Sequence, residues 1–257
     1  MKVLIALLLS NFFLAQVKFE PDFVATYNVE YPIYEKKNTE QFILFIDSKQ
    51  EKSFYKSSNQ YALDSLKKNG KIAESDFRTI SSYRTALNED VLSNGQNFTV
   101  FKTIVGAKLK YIEKSDIKWN ILNDRRDYFG YKTRKAYAFA YGRKWIAWYA
   151  EDLPLNFGPY KFQGLPGLII NMYDEKAEYF LTLSQFKKKK MNVTLPNSKS
   201  YKTVEKAKIR DVEYNTFVDL NTNVRVFDSD QERREALENI KKRIRREPYL
   251  DLDLKPL

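Results

Sequence analysis

The chain of 257 residues contains neither cysteine nor histidine. Without thiols there are no disulfides, no thiolate metal sites and no cysteine nucleophile, although this absence is compatible with either redox compartment. Without imidazole, the usual general base and the usual zinc ligand are also missing. Chemistry or recognition in this protein therefore depends on carboxylates, amines, hydroxyls and aromatic rings.

Glycine and proline are also scarce, with eight of each, yet six of them fall within fourteen consecutive residues. These six are Pro154, Gly158, Pro159, Gly164, Pro166 and Gly167. Both residue types impose particular backbone geometry. We therefore expect a fixed loop over residues 154–168, called the Gly/Pro loop below, with Gly164 or Gly167 at positive φ. Such a loop would join two hairpins and hold the next strand in register. Alternatively, a pre-organised loop that displays Leu165 and Leu168 would suit recognition.

Long apolar runs are absent after the N-terminus, so the sequence predicts no transmembrane helix, which needs about 20 apolar residues. The first 15 residues contain one lysine, a short apolar run and a final alanine, Ala15. This order is typical of a secretory signal peptide. We expect cleavage after Ala15 and export of residues 16–257 as a single domain, periplasmic or secreted. No cysteine follows the apolar run to carry a lipid anchor.

The formal net charge is +11, and basic residues cluster at 187–190 and 241–246. Basic clusters can bind nucleic acid or anionic membrane surfaces. Export argues against nucleic acid as a partner. Because charge runs are usually solvated, an exposed basic surface is the first interpretation and contact with an anionic membrane is the alternative.

Aromatic residues are abundant, with 18 Tyr and 18 Phe, and they favour strands. In the segment 131–141, bulky side chains alternate with alanines, which is the period of a strand. Similar patterns predict the other strands at 23–31, 41–47, 52–56, 98–104, 108–114, 117–122, 145–149, 168–173 and 178–186. Residues 71–97 are polar, and we predict a loop there with at most one helical turn.

Two helices are predicted. Tyr61, Leu63 and Leu66 have helical spacing before a glycine stop, which indicates a short helix near 59–69. A capping box at Ser229 begins a helix near 230–246. Its apolar stripe, which we expect to cover the sheet, consists of Ala236, Leu237, Ile240 and Ile244. The predicted fold is mainly β, with a single antiparallel, curved sheet that forms a meander or half-barrel beside this C-terminal helix.

The sequence Gly-Leu-Pro-Gly-Leu-Ile is unbroken from Gly164 to Ile169. The preceding residues include Gly130-Tyr131, Gly142-Arg143 and Ala147-Trp148-Tyr149. This combination resembles the GLPGLI family of Bacteroidetes, named after that motif. The resemblance implies an exported envelope protein, but it assigns no activity, so no catalytic residue carries over. Thr133 stands where family members often have a cysteine, so any role of that thiol is absent here.

Four carboxylates stand at strand ends beside the Gly/Pro loop: Glu151, Asp152, Asp174 and Glu175. A pair of carboxylates can hydrolyse glycosidic or peptide bonds without histidine. Their spacing does not distinguish a catalytic pair from ordinary hairpin charges, so a hydrolase acting on envelope glycans or peptides is the alternative function. No calcium-loop pattern is present, and we predict no metal or cofactor. Asp251 and Asp253 are close in sequence, in what we interpret as a polar tail.

Five residues near the loop are candidates for binding: Arg143, Trp145, Trp148, Tyr160 and Phe162. Trp145 and Trp148 differ by three positions, so on a strand they face opposite sides. Large apolar residues in strands are usually core residues. A curved sheet with a helix over it can nevertheless enclose an apolar groove, as lipid carriers do, which is an argument from fold analogy alone. The preferred function is therefore a non-enzymatic envelope module that binds an apolar or lipid-like ligand or a partner protein.

Overall fold

The structure is a computed structural model, and it describes residues 18–33, 36–73, 75–222, 229–244 and 248–251. The signal peptide predicted over residues 1–15 therefore lies outside the described residues. In the described ranges, one sheet contains 12 strands, and a second sheet pairs two short strands. The assignment of residues 16–257 to a single domain stays a prediction.

The strands of the first half are β1 (Lys18–Phe19), β2 (Phe23–Ile33), β3 (Lys36–Asp47), β4 (Lys52–Ser57), β5 (Glu89–Asn94), β6 (Asn97–Ile104) and β7 (Ala107–Lys114). Those of the second half are β8 (Asn120–Tyr128), β9 (Tyr131–Ala140), β10 (Arg143–Ala150), β11 (Ile169–Asp174), β12 (Phe180–Lys188), β13 (Val193–Thr194) and β14 (Lys202–Thr203). The helices are α1 (Ser58–Lys68), α2 (Phe77–Ser82), α3 (Lys206–Thr222) and α4 (Asp230–Ile244).

The large sheet consists of two antiparallel meanders, β2 to β7 and β8 to β12. The first strand of one meander, β2, pairs antiparallel with the last strand of the other, β12. The sheet is open, because β8 forms one edge and the short β14, parallel to β7, forms the other. The prediction of a mainly β protein with a single large sheet is confirmed.

The Gly/Pro loop lies against the inner face of this sheet. The main hydrophobic core combines side chains from one face of both meanders with five buried loop side chains: Phe157, Tyr160, Phe162, Leu165 and Leu168. The Phe162 ring contacts Trp145 of β10 at 4.7 Å, and the Tyr160 ring contacts Tyr55 of β4 at 6.3 Å between centroids. The loop therefore joins the two halves of the sheet through its own side chains.

Two glycines account for the path of the loop. Gly164 has φ +95°, a conformation that L side chains rarely adopt. Gly167 has no positive φ, but a Cβ there would lie 1.9 Å from the carbonyl oxygen of Ala150. The expected positive φ is thus found at Gly164, and the steric clash arises at Gly167. Next to this contact, the Leu168 carbonyl accepts a hydrogen bond of 2.9 Å from the Ala150 amide, which starts the pairing of β11 with β10.

The two-residue strands β1, β13 and β14 were not predicted, and two longer strands differ from the sequence prediction because their polar residues hide the alternation. Residues 89–94, predicted as loop, form β5, whose inward-facing Ser93 is buried and hydrogen-bonds to Gln163 of the loop at 2.9 Å. The strand predicted at 117–122 is β8, which begins at Asn120 and ends at Tyr128. It is polar because it is an edge strand with exposed side chains along most of its length, and charged residues protect such edges.

The helix over the sheet is α3, which the sequence did not predict. It packs against β6 and β7 and buries Ile209, although its apolar stripe is weak. The two predicted helices are present as α1 and α4. The expectation that the stripe on α4 covers the sheet is wrong, since α4 packs mainly against α3.

The close approach at Gly167 generates a test. Gly167→Ala places a methyl group on the Ala150 carbonyl, so the main chain must move, and we expect a loss of about 3 kcal/mol or more in the free energy of unfolding. Gly130→Ala is the control, because Gly130 has φ +82° and open space around it. That variant should lose only about 1–2 kcal/mol, from backbone strain. Urea unfolding measures both, and equal losses would contradict the steric role of Gly167.

Candidate functional site beneath the C-terminal segment

A cavity of about 240 Å³ lies between the sheet, the Gly/Pro loop and the segment Pro248–Asp251. Five aromatic rings line it, those of Phe42, Tyr55, Tyr160, Phe217 and Tyr249. Four charged side chains also line it, those of Glu89, Lys102, Glu213 and Asp251. The cavity thus combines an apolar wall with a small number of charged groups, as ligand sites do.

The apolar wall contains a hydroxyl without a partner. Tyr55 stacks on Phe42 with 5.1 Å between ring centroids and is only 1% exposed. Its hydroxyl has no hydrogen-bond partner among the described residues. Burial raises the pKa of this hydroxyl well above its ordinary value, so the group is neutral. An unpartnered buried hydroxyl costs about 1–3 kcal/mol. Because this hydroxyl is itself buried, it belongs to the core behind the cavity wall and not to the surface of the cavity.

A lysine with two carboxylates forms the charged wall. Nζ of Lys102 lies 3.4 Å from Glu89 and 2.9 Å from Glu213. The hydroxyl of Tyr160 donates to the other oxygen of Glu89 at 2.7 Å. Burial acts to lower the pKa of Lys102, but the two carboxylates outweigh it and raise this pKa. Lys102 is therefore a charged ammonium, shared between two carboxylates.

A second ionic cluster lies behind the cavity and is centred on Lys161 of the Gly/Pro loop. This side chain is fully buried; Nζ pairs with Asp251 and lies 2.5 Å from Glu113. Lys206 of α3 pairs with the same two carboxylates, at 2.6 Å from Asp251 and 3.3 Å from Glu113. The ring of Tyr141 lies 4.2 Å from Nζ of Lys161 and adds a cation–π contact.

The same cluster fixes the C-terminal segment. Asp251, which the sequence placed in a polar tail, is 1% exposed, while Asp253 lies outside the described residues. The amide of Tyr249 donates to the hydroxyl of Tyr179 at 3.0 Å. Its carbonyl accepts from Arg143 at 3.4 Å. The segment therefore closes one side of the cavity through polar contacts to both the sheet and the loop.

Most of the predicted binding residues are core residues. The expectation that the loop displays Leu165 and Leu168 is wrong, because they are 1% and 0% exposed. Trp145 is buried in the core and donates to the Ala140 carbonyl at 3.1 Å. Trp148 points to the other face of the sheet, as predicted. Its ring packs beneath Arg126, whose Cζ lies 4.1 Å from the ring centroid. Of the five candidates, Tyr160 lines the cavity. Arg143 does not line it, but it donates a hydrogen bond to the carbonyl of Tyr249, which does. None of the prolines and glycines of the Gly/Pro loop lines the cavity.

The structure does not bring the predicted hydrolytic carboxylates together. Glu151 pairs with Arg125 at 3.0 Å, and Glu175 pairs with Lys144 at 2.7 Å. Asp174 is buried, pairs with Arg143 at 3.2 Å and accepts two backbone amides. It stands at one end of the β10–β11 pair, whereas Glu151 and Asp152 follow the other end. In the described ranges, no group of three or more acidic residues could hold a metal ion.

Sequence reasoning missed the charged residues of the cavity. In the cluster behind the cavity, Lys161 could have been recognised from the sequence. It is the single charged residue of the Gly/Pro loop, and it stands between two aromatic residues. The remaining residues are Glu89, Lys102, Glu213 and Asp251, which have no spacing that marks a site. They meet only because α3 and the C-terminal segment pack over the sheet.

Fold and site define a β-sheet protein with a partly open, polar and aromatic cavity. The model of a family described as "Protein of unknown function (Porph_ging)" matches residues 94–171. It is a family of the Porphyromonas and Bacteroidetes type. No curated protein matches the chain. Of the helices in the described ranges, none has the length and apolar character needed to cross a membrane.

Solved structures also resemble this chain. Two crystal forms of PNGF-II, in space groups P21 and C2, match with TM-score 0.50 and 14% identity, covering 76% of this chain and 33% of theirs. This chain thus spans about one third of the length of PNGF-II, and the likeness shows the fold alone. A Vibrio parahaemolyticus domain named for outer membrane lipoprotein sorting matches with TM-score 0.28 and 10% identity, covering 70% of this chain and 89% of that one. A TM-score that low supports no argument.

The ionic cluster predicts a pH dependence. Burial acts to raise the pKa of Asp251, but Lys161 and Lys206 outweigh it and lower this pKa. Its contribution to stability is therefore present above the ordinary carboxyl pKa and is lost as the pH falls through the lowered value. We expect Asp251→Asn to lose about 3 kcal/mol of unfolding free energy at neutral pH. The difference in unfolding free energy between Asp251→Asn and the wild type should decrease below about pH 4.

Urea unfolding at neutral and acidic pH measures this difference. Asp116→Asn is the control, because Asp116 is exposed and lies outside the cluster, and it should behave as the wild type at both pH values. A stability difference between Asp251→Asn and the wild type that stays constant with pH would contradict the assignment.

Proposed function

We propose that this protein is an exported cell-envelope protein of the GLPGLI type that binds a small ligand in the cavity. The signal-peptide pattern over residues 1–15 supports export. The match of a Bacteroidetes-type family over residues 94–171 includes the unbroken motif from Gly164 to Ile169, which supports the GLPGLI assignment. Neither the family description nor the resemblance supplies an activity, so the proposal rests on the site.

The observation that carries the proposal is a cavity that combines five aromatic rings with four charged side chains. The volume of about 240 Å³ is below the roughly 300–1,000 Å³ of drug-sized sites, so it favours a small molecule over a lipid. A lipid groove along the inner face of the sheet has no support, because the Gly/Pro loop packs there. Of the ligands predicted from the sequence for a binding module, we therefore retain a small molecule and not a lipid.

The hydrolase alternative has less support from the geometry. Glu151 and Asp174 lie at opposite ends of a strand pair, and Asp174 is engaged by Arg143. The carboxylates that do line the cavity each pair with a lysine, which suits fixed charges better than an acid and base that exchange protons. Contact with an anionic membrane through the exposed residues 187–190 stays a prediction.

Native mass spectrometry of protein purified gently from its own envelope fraction tests the proposal. Ala86 is exposed and lines the cavity, so Ala86→Trp should block the site without disturbing the core. Ala107→Trp is the control, since Ala107 is exposed at the β6–β7 turn and does not line the cavity. We expect a small adduct on the wild type and on Ala107→Trp, and none on Ala86→Trp.

Two outcomes would contradict the proposal. A wild type that emerges without an adduct, or with a bound protein instead of a small molecule, would overturn the small-ligand function. A full-length chain recovered from the cytoplasm, with no mass corresponding to cleavage after Ala15, would overturn export.

A further inference from the structure

We propose that the ligand of the cavity is a small organic cation, an ammonium group on an apolar or aromatic body. This inference rests on the proposed function and adds the chemical class of the ligand. It is carried by the charges of the cavity wall and by its aromatic rings.

The wall carries an excess of negative charge. Glu89 and Glu213 share a single cation, Lys102, at 3.4 and 2.9 Å. Asp251 is compensated separately, by Lys161 and Lys206. One oxygen of Glu213 accepts from Lys102, and its other oxygen has no hydrogen-bond partner among the described residues. Two carboxylates with one ammonium leave one negative charge beside the cavity, which a cationic ligand would balance.

The aromatic rings suit the same ligand. Tyr55 and Phe42 stack at 5.1 Å, and Tyr160 meets Tyr55 edge-on at 6.3 Å. The chain already places two of its own ammonium groups against rings of this wall. Nζ of Lys102 lies 5.8 Å from the ring of Tyr249, and Nζ of Lys161 lies 4.9 Å from that of Tyr160. Rings arranged around a cation are the usual means of recognising organic ammonium groups.

The carboxylate of Glu213 provides the hydrogen-bond partner. An ammonium group carries three donors, so it can donate to the second oxygen of Glu213, which lines the cavity. A volume of about 240 Å³ corresponds to roughly eight water-sized groups, so the whole ligand is a small amine.

Calorimetric titration with two probes tests the inference. Benzylamine is protonated at pH 7, and benzyl alcohol is a neutral molecule of similar shape. We expect the wild type to bind benzylamine about tenfold or more tightly than benzyl alcohol, because the ammonium gains both the ionic and the cation–π contacts. Glu213→Gln should remove that preference. Glu175→Gln, an exposed carboxylate outside the cavity, should keep it.

The outcomes separate this inference from the proposed function. Equal affinity for the two probes would overturn the cation preference while leaving a ligand-binding cavity. Binding of neither probe, together with a small adduct in native mass spectrometry, would also overturn the cation and leave the function standing. Binding of neither probe by a protein that also purifies bare would overturn both.

Discussion

The structure depends on the approach of Gly167 to the carbonyl oxygen of Ala150, where a Cβ would lie at 1.9 Å. This contact allows the chain to leave β10, cross the inner face of the sheet and return directly beside β10 as β11. The loop between these strands supplies five side chains to the main core. Of the six glycines and prolines in this stretch, Gly158, Pro159 and Gly167 are buried, whereas Pro154, Gly164 and Pro166 are exposed where the loop turns.

Burial of the loop also determines the electrostatics of the molecule. Lys161 has no exposed side-chain surface, and a buried charge is tolerated only with partners of opposite sign. Glu113 of β7 and Asp251 of the C-terminal segment provide these partners. The segment that closes the cavity is therefore fixed by a charge in the Gly/Pro loop, so the motif and the cavity form one structural unit.

The sequence predicted the parts of the fold that follow from local pattern. Alternation identified β9, and the proline and glycine spacing identified a fixed loop with a positive φ, found at Gly164. β5 was missed because its buried Ser93 is polar and is satisfied by Gln163, 70 positions away. The site was missed for the same physical reason. Asp251 is 90 residues from Lys161, and local periodicity carries no information on an ion pair at that separation.

Hydrogen exchange of the loop amides tests most directly the claim that the Gly/Pro loop is interior structure. The amides of Gly164, Leu168 and Ile169 donate to backbone carbonyls of the same loop region at 2.9, 3.0 and 3.1 Å. If the loop is part of the core, these amides exchange only on global unfolding, as slowly as the central amides of β10. Exchange as fast as that of the exposed Ala73 would show that the loop opens independently and would contradict this account.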